Sequence, residues 1–548
     1  MSIYTSGVTA LRAAQLGLAT TGHNIANANT TGYRRQEIVQ TTAIPVASGQ
    51  GFIGQGTDVD TIKRVYDDFL DRQVSQNETS ASYSEKYLEG VQQLDNVMGD
   101  RSSGLSAALQ KFFQTWNDLA NYPSSTTARQ AVLGGAQTVS NSLDSLGTYV
   151  QSLKDAANTD IQGMVSKINS YATGIANLNK SIANASTMGQ PPNDLLDQRD
   201  QLLSELNAIV GTTVLKDSAT GNYNVFIGTG YQLVEGTSAN SVTAARSQYD
   251  PTRLEVYDSA GATQLSGGAI SGGELGAVLD YRSDVLDMAQ NSLGRIAMVL
   301  ADSVNTLHTA GVDYNGAAGG NFFSSMSAMP LTYASTSNTS AAVVTATLGT
   351  TSQLTTSDYS LSFGGGVYTL QRLSDGQTWS DASLATLSTN AAQGFTLTTS
   401  LAPNAGDSFL IRPTAQGSTN LDVAISDPLE IAAADNTAVV GDTLNNENAL
   451  AIAALQSTSG LIGGSATIEG GYALLVGEIG NVTDEAKISN TAQANLLAQT
   501  KAAQQSVSGV NLDEEAANLL RYQQAYQAAA QIIKSASSMF DTLLSLGG

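Results

Sequence analysis

The sequence predicts a mainly α-helical protein with inserted β structure: terminal helices pairing as an α-helical coiled coil, a helical-bundle rod domain and an outer β-rich domain. Three observations carry that prediction. Apolar residues recur every seven positions at both ends of the 548-residue chain, further heptads fill the interior, and a Ser/Thr/Gly-rich stretch near 331–414 alternates instead. A seven-residue apolar repeat is the seam of a helix facing one partner helix, whereas strict alternation marks a half-buried strand.

At the start, Tyr4, Leu11, Leu18 and Ile25 lie seven apart, with Gly7, Ala14 and Thr21 three places after the first three. The stretch HNIANANTTGY, His23 to Tyr33, ends that helix. Asparagine amides compete for backbone groups, so Asn24, Asn27 and Asn29 read as a helix stop, and Gly32 permits a sharp exit. At the far end Leu512, Leu519, Tyr526, Ile533 and Phe540 repeat every seven, flanked by Tyr522, Ala529, Ala536 and Leu543. The small residues of the first helix let a bulkier second helix approach closely, and the two stripes form the expected assembly seam. The same spacing also fits an ordinary core helix. Asn511 is placed to cap the last helix, with Glu514 at capping-box distance. An antiparallel pairing would bring Arg34 and Arg35 to Asp513, Glu514 and Glu515, where exposed pairs set orientation more than strength.

Inward from the ends, Val132, Val139, Leu146 and Leu153 form one heptad set and Ile161, Ile168, Ile175 and Ile182 another. Pro191-Pro192 interrupts before Leu195, Leu202 and Ile209; Leu286, Leu293, Leu300 and Leu307 follow, and residues 488–506 read as a returning helix. Long antiparallel helices in a rod are the expected arrangement. Thr212 to Glu235 reads as a hairpin, and Tyr359, Leu361 and Phe363 alternate before a glycine turn at Gly364–Gly366. The expected division is a terminal helix and linker at 1–60 and a rod at 61–330, with a β-hairpin region near 211–275. The outer β domain follows at 331–440, return helices at 441–507 and the last helix at 508–548.

Composition excludes several functions. A net charge of −23 lacks the basic footprint of nucleic-acid binding. Cysteine is absent, so there is neither a disulfide framework nor a thiolate metal site, and no run approaches a membrane span. The N-terminus has no secretory signal pattern. The two histidines, His23 and His308, lack metal-ligand spacing and read as structural. Gly49 to Gly54 matches a dinucleotide motif but lies between loop and strand rather than between strand and helix. Asp194, Asp197 and Asp200 read as a solvated helix face. No catalytic, cofactor or metal site is expected, and no enzyme activity.

Asn24 to Gln36, NIANANTTGYRRQ, resembles the N-terminal signature of the axial proteins of the bacterial flagellum, the rod, hook and hook-associated proteins. Its signature positions here are Asn24, Asn27, Asn29, Gly32 and Tyr33. Ser508 to Leu546 is similar to the matching C-terminal signature. Interior segments (LLDQRDQLLSELNAIVGTTVL, YNVFIGTGYQLVEG, GGELGAVLDYRSDVLDMAQNSLGRIA and GDSFLIRP) look like the hook-associated protein 1 family. The resemblance implies a structural protein of the hook–filament junction, needed for filament assembly and motility. It would be exported by the flagellar type III route and be cytoplasmic before export. It also implies self-association in a helical or ring assembly, contact with hook protein and hook-associated protein 3, and a cytosolic export chaperone on the C-terminal segment. Another axial protein such as the hook protein is the alternative, or an exported adhesin or hydrolase carried on the β domain.

Overall fold

In the computed structural model of the chain the described residues are 2–49, 51–99, 104–187, 189–218, 220–261, 263–266, 268–437 and 444–546. Their helices are α1 (Ser2–Ala26), α2 (Asp68–Met98), α3 (Leu105–Asn121), α4 (Thr126–Ser186), α5 (Asn193–Ile209), α6 (Gly273–Asp280), α7 (Asp287–Ala310), α8 (Leu384–Ala391), α9 (Glu447–Ala454), α10 (Ile468–Ser508) and α11 (Leu512–Leu546). Strands β1 (Gln36–Thr42), β2 (Val46–Ser48), β3 (Gly51–Ile53) and β4 (Thr57–Arg64) make an antiparallel ribbon, β1 on β4 and β2 on β3. The expected hairpin at 212–235 is part of an antiparallel sheet of β5 (Thr212–Lys216), β6 (Tyr223–Ile227), β7 (Tyr231–Glu235) and β8 (Ser238–Ala239). Beside it β9 (Val242–Arg246) pairs with β10 (Leu254–Asp258).

Helix α4 is the spine. Ser125 Oγ caps its start, and its 61 residues make a rod roughly 90 Å long. The two heptad sets fall on this one helix, offset by eight residues from Leu153 to Ile161 instead of seven. One extra residue turns the apolar stripe by about 100°, so the two halves face different partners. Val132, Val139 and Leu153 enter a core shared with α3, α7 and α9, whereas Ile161, Ile168 and Ile175 enter a second core against α5 and the sheet of β5–β8.

The β insert comprises β11 (Leu331–Ala334), β12 (Val344–Leu348), β13 (Tyr359–Gly364), β14 (Val367–Arg372), β15 (Thr378–Asp381), β16 (Phe395–Thr399) and β17 (Ser408–Arg412). One sheet has the order β11-β17-β13-β14-β15, and β12 pairs with β16. Its apolar side chains do not form a separate core. Tyr359, Leu361, Phe409 and Ile411 belong to the same continuous cluster as Leu293 and Leu300 of α7.

A buried charge cluster reinforces that join. A π-helical turn at Tyr281–Leu286 links α6 to α7 and brings Arg282 and Asp287 inward. Arg282 donates to Glu255 at 2.9 Å, and Arg253 reaches Glu255 at 2.6 Å and Asp287 at 2.5 Å. Lys154 of α4 also binds Asp287. Arg412, at the end of β17, reaches Asp358 at 2.9 Å and both Asp250 and Asp287 at 3.2 Å. Burial works against the Asp287 charge, but Lys154, Arg253 and Arg412 more than reverse it and hold the carboxyl below its ordinary range.

His308 closes α7. Its ring is fully buried against Phe322 and Trp116; Nδ1 lies 2.7 Å from the Gly320 carbonyl, and the Ala432 N–H donates to Nε2 at 2.9 Å. The ring is therefore neutral with its proton on Nδ1, and burial pushes its pKa down. The unfolded histidine takes up a proton near pH ~6.5, so the unfolded chain binds more protons below that point. Stability from His308 is full above about pH 6.5 and is lost as pH falls toward the folded pKa. Urea titrations at about pH 7 and about pH 5.5 should show a smaller drop for His308→Gln than for the parent. Equal drops would assign the acid sensitivity elsewhere.

Candidate assembly interface

Helices α1 and α11 pair antiparallel, as three contacts show. A Cβ on Gly7 would lie 2.8 Å from Ile533 Cγ1, a Cβ on Gly17 would lie 2.6 Å from the Tyr522 ring, and Asn24 Nδ2 donates to Glu515 Oε2 at 3.1 Å. The intrachain seam runs through the small-residue stripe and its neighbours: Gly7, Ala13, Ala14, Gly17, Thr20 and Thr21 are buried, with Ala529 opposite. Apart from Ile533, which packs on Gly7, the larger stripe is turned aside. Leu11, Leu18 and Ile25 are half-buried, as are Leu519 and Ile533, while Tyr4, Leu512, Tyr526 and Phe540 are exposed. The reason is spacing: glycine and alanine let the two backbones approach, and bulky residues at the first heptad position would hold them apart.

Asn24 is the hub of the turn that follows. Its Nδ2 donates to the Gln36 carbonyl at 2.9 Å as well as to Glu515, and its Oδ1 accepts from the Gln36 N–H at 2.9 Å and from the Tyr33 hydroxyl at 2.8 Å. All four amide positions are thus used in fixing where the ribbon leaves α1. Burial, with Asp194, Asp197 and Glu515 nearby, pushes the Tyr33 phenol above its ordinary range. Asn27 bonds back to the His23 carbonyl at 3.0 Å and accepts from Thr30; Asn29 is exposed. Gly32 adopts φ +79°, and a Cβ there would meet Gln201 Oε1 at 2.7 Å. The positive φ is what favours glycine here.

The charges divide differently from the expected pairing. Arg35 reaches Glu514 at 2.7 Å, and Asn511 caps α11 by accepting from the Asp513 and Glu514 N–H groups. Arg34 turns away to Asp71 at 2.6 Å and Asp200 at 3.5 Å, and its N–H donates to Asp197. Arg64 bridges Asp197 at 2.8 Å and Asp200 at 2.7 Å. The solvated acidic face expected at Asp194, Asp197 and Asp200 is therefore corrected: Asp197 is buried and Asp200 nearly so, because Arg34, just before the ribbon, and Arg64 of β4 fold over them. Asp194 alone stays exposed, 3.4 Å from His23. Residues i and i+3 share a helix face, and that spacing of carboxylates, with arginines at 34 and 64 in a cation-poor chain, was the available signal. Gly17 was the other omission, lying off the heptad positions. Among the described residues no cluster of three potential metal ligands occurs, and no helix is long and apolar enough to cross a membrane.

Residues 5–34 match the family of flagella basal body rod proteins, and residues 503–546 match the flagellar basal body rod FlgEFG protein C-terminal family. Terminal helices of these two kinds, paired as described, define an axial structural protein of the bacterial flagellum. Residues 91–323 match the flagellar hook-associated protein FlgK helical domain, and residues 333–413 match the flagellar hook-associated protein 1 D2-like domain. The chain is 36% identical to flagellar hook-associated protein 1 of Salmonella typhimurium and 35% identical to that of Escherichia coli, with all of each chain covered. The flagellar hook junction protein FlgK of Burkholderia pseudomallei superposes with a TM-score of 0.73 at 28% identity, covering 80% of this chain and 100% of that one. The chain belongs to the flagellar hook-associated protein 1 family, and the hook-protein and adhesin or hydrolase alternatives are set aside.

Proposed function

We propose that the chain builds the junction between hook and filament, copies associating through their terminal helices into a tube or ring. The observation that carries this reading is the division of the α1–α11 pair. Its small residues are used within one chain, while Tyr4, Leu512, Tyr526 and Phe540 stay exposed for neighbouring copies. Leu11, Leu18, Ile25, Leu519 and Ile533 complete that assembly seam. The hook protein is the neighbour on one side and hook-associated protein 3 on the other. Before export the chain is cytoplasmic, with a chaperone on the 508–548 segment; afterwards it is extracellular, with the 61–330 and 441–507 rod and the 331–440 β region outside the tube.

Cells lacking the gene should carry hooks without filaments in electron micrographs and shed filament subunits into the medium, and the restored gene should return the filaments. Normal filaments attached to hooks in the deletion strain would reject the reading.

A further inference from the structure

The chain has no cysteine, so a peroxide finds no thiol on it, and its most readily oxidised atoms are methionine sulfurs. Among the described residues these are unevenly placed. Met98, Met164, Met298 and Met326 are buried, and Met288 and Met329 are half-buried. Met539, near the end of α11, is 56% exposed.

Its neighbours give that exposure a meaning. Ile532, Met539 and Leu543 are spaced by seven and four residues, so they share one face of α11. That face lies beside the seam that holds α1: Ile533 packs on Gly7, whereas Ile532, Met539 and Leu543 are 43%, 56% and 68% exposed. Apolar side chains at this spacing are the pattern of a helix that meets another helix. The charge of α11 favours a second copy of the chain as the partner. Between residues 516 and 540 there is no Asp or Glu, and only Arg521 and Lys534 are charged. Copies of net charge −23 repel one another, and in this segment two of them can approach without acid facing acid.

We infer that Met539 is an oxidation-controlled residue of the contact between copies: its thioether is accepted when a chain joins the assembly, and its sulfoxide is not. This inference rests on the junction reading and adds a modification site to it. In the reaction the sulfur lone pair attacks one oxygen of hydrogen peroxide. The O–O bond breaks, an S–O bond forms, and the other oxygen leaves as water. The sulfur is oxidised by two electrons and the peroxide is reduced by two. The sulfoxide places a polar oxygen where the contact offers only apolar side chains, and burying it there without a partner is costly. A free chain is open to this reaction, whereas a chain already in place has its sulfur covered. The control therefore acts on entry and spares the finished structure.

The test treats the purified full chain and isolated hook–filament structures alike with dilute hydrogen peroxide. The peptide that follows Lys534 holds no other methionine, so its mass reports Met539 alone. In the free chain Met539 should gain one oxygen before Met288 or Met329 does, with the melting temperature unchanged; in the assembled structures it should be protected. Met539→Gln, produced in cells lacking the native chain, places a polar amide at the same point. It should lower the amount of chain in the isolated structures by at least about tenfold, and Met539→Leu should incorporate as the parent does. Equal oxidation of Met539 in free and assembled chains, earlier oxidation of Met288 or Met329, or normal incorporation of Met539→Gln would each overturn the oxidation control and leave the junction reading standing. Absence of the parent chain from the isolated structures would overturn both.

Discussion

Replacing Arg412 with methionine is expected to destabilise the folded chain by about 3–5 kcal/mol, the usual cost of removing one partner from a buried charge group. Its guanidinium is shared among Asp250, Asp287 and Asp358. With it gone, Lys154 and Arg253 still face Asp287, but among the described residues the Asp358 carboxylate keeps only the hydrogen bond from Asn291, 2.9 Å away. Burial already pushes the Asp358 carboxyl up against the pull of Arg412; without that pull it would take up a proton rather than remain an unpaired charge. The double change Arg412→Met with Asp358→Asn removes one charge of each sign and should be less damaging than Arg412→Met alone. The two tryptophans give separate readings: Trp116 is buried in the rod and Trp379 lies on β15 of the insert. Because rod and insert share one core, urea unfolding should shift at both. A shift at Trp379 alone would mean that the insert unfolds independently, and a change below about 1 kcal/mol would remove the cluster's assigned weight.

Gly17→Val should abolish incorporation into the hook–filament junction while leaving the melting of the rod unchanged. The added side chain falls on the Tyr522 ring, already only 2.6 Å from where a Cβ would sit. In the free chain the loss is small, because a seam of glycine, alanine and threonine buries little apolar surface, at about 0.8 kcal/mol per buried CH₂. Helices this thinly packed owe little stability to their pairing. Ile533→Asp should behave alike, since in the assembled seam its charge would be buried without a partner. Hydrogen exchange on the soluble chain separates the cases. Rapid exchange at residues 519–533 alongside strong protection at 161–182 is the expected result. Strong protection in the terminal helix would show that the pair is fully formed before assembly.

Heptad arithmetic read the helices well because helix periodicity is a local property. Val132, Ile161, Ile175, Leu293 and Leu300 are all buried as their spacing required. It could not reveal that two sets separated by a single extra residue belong to one helix, since the seam's rotation becomes visible only when two partners are placed against it. The terminal seam was legible as a pair of stripes but not in which stripe faces inward: both repeat every seven residues, and backbone approach selected the smaller one. The charge clusters were least legible. Arg412, Arg282, Asp287, Asp197 and Asp200 all lie in segments whose wording carried the family resemblance, yet their partners come from elements far away in the chain. Pairwise attraction across such distances leaves no period in the sequence.

The antiparallel α1–α11 pair also has a consequence for the order of synthesis. Gly7 leaves the ribosome long before its partner Ile533, which follows only after the whole rod and insert have been translated. Until then α1 has no surface of its own chain to close against, and the entropy of joining ends so far apart must be met at the last step. A polypeptide whose translation stops between residues 480 and 511 holds every residue of α4 and of its two cores, but it carries an unmatched first helix. The pairing of α1 with α11 thus reports that translation has passed through α11, and only such chains can present the two paired helices.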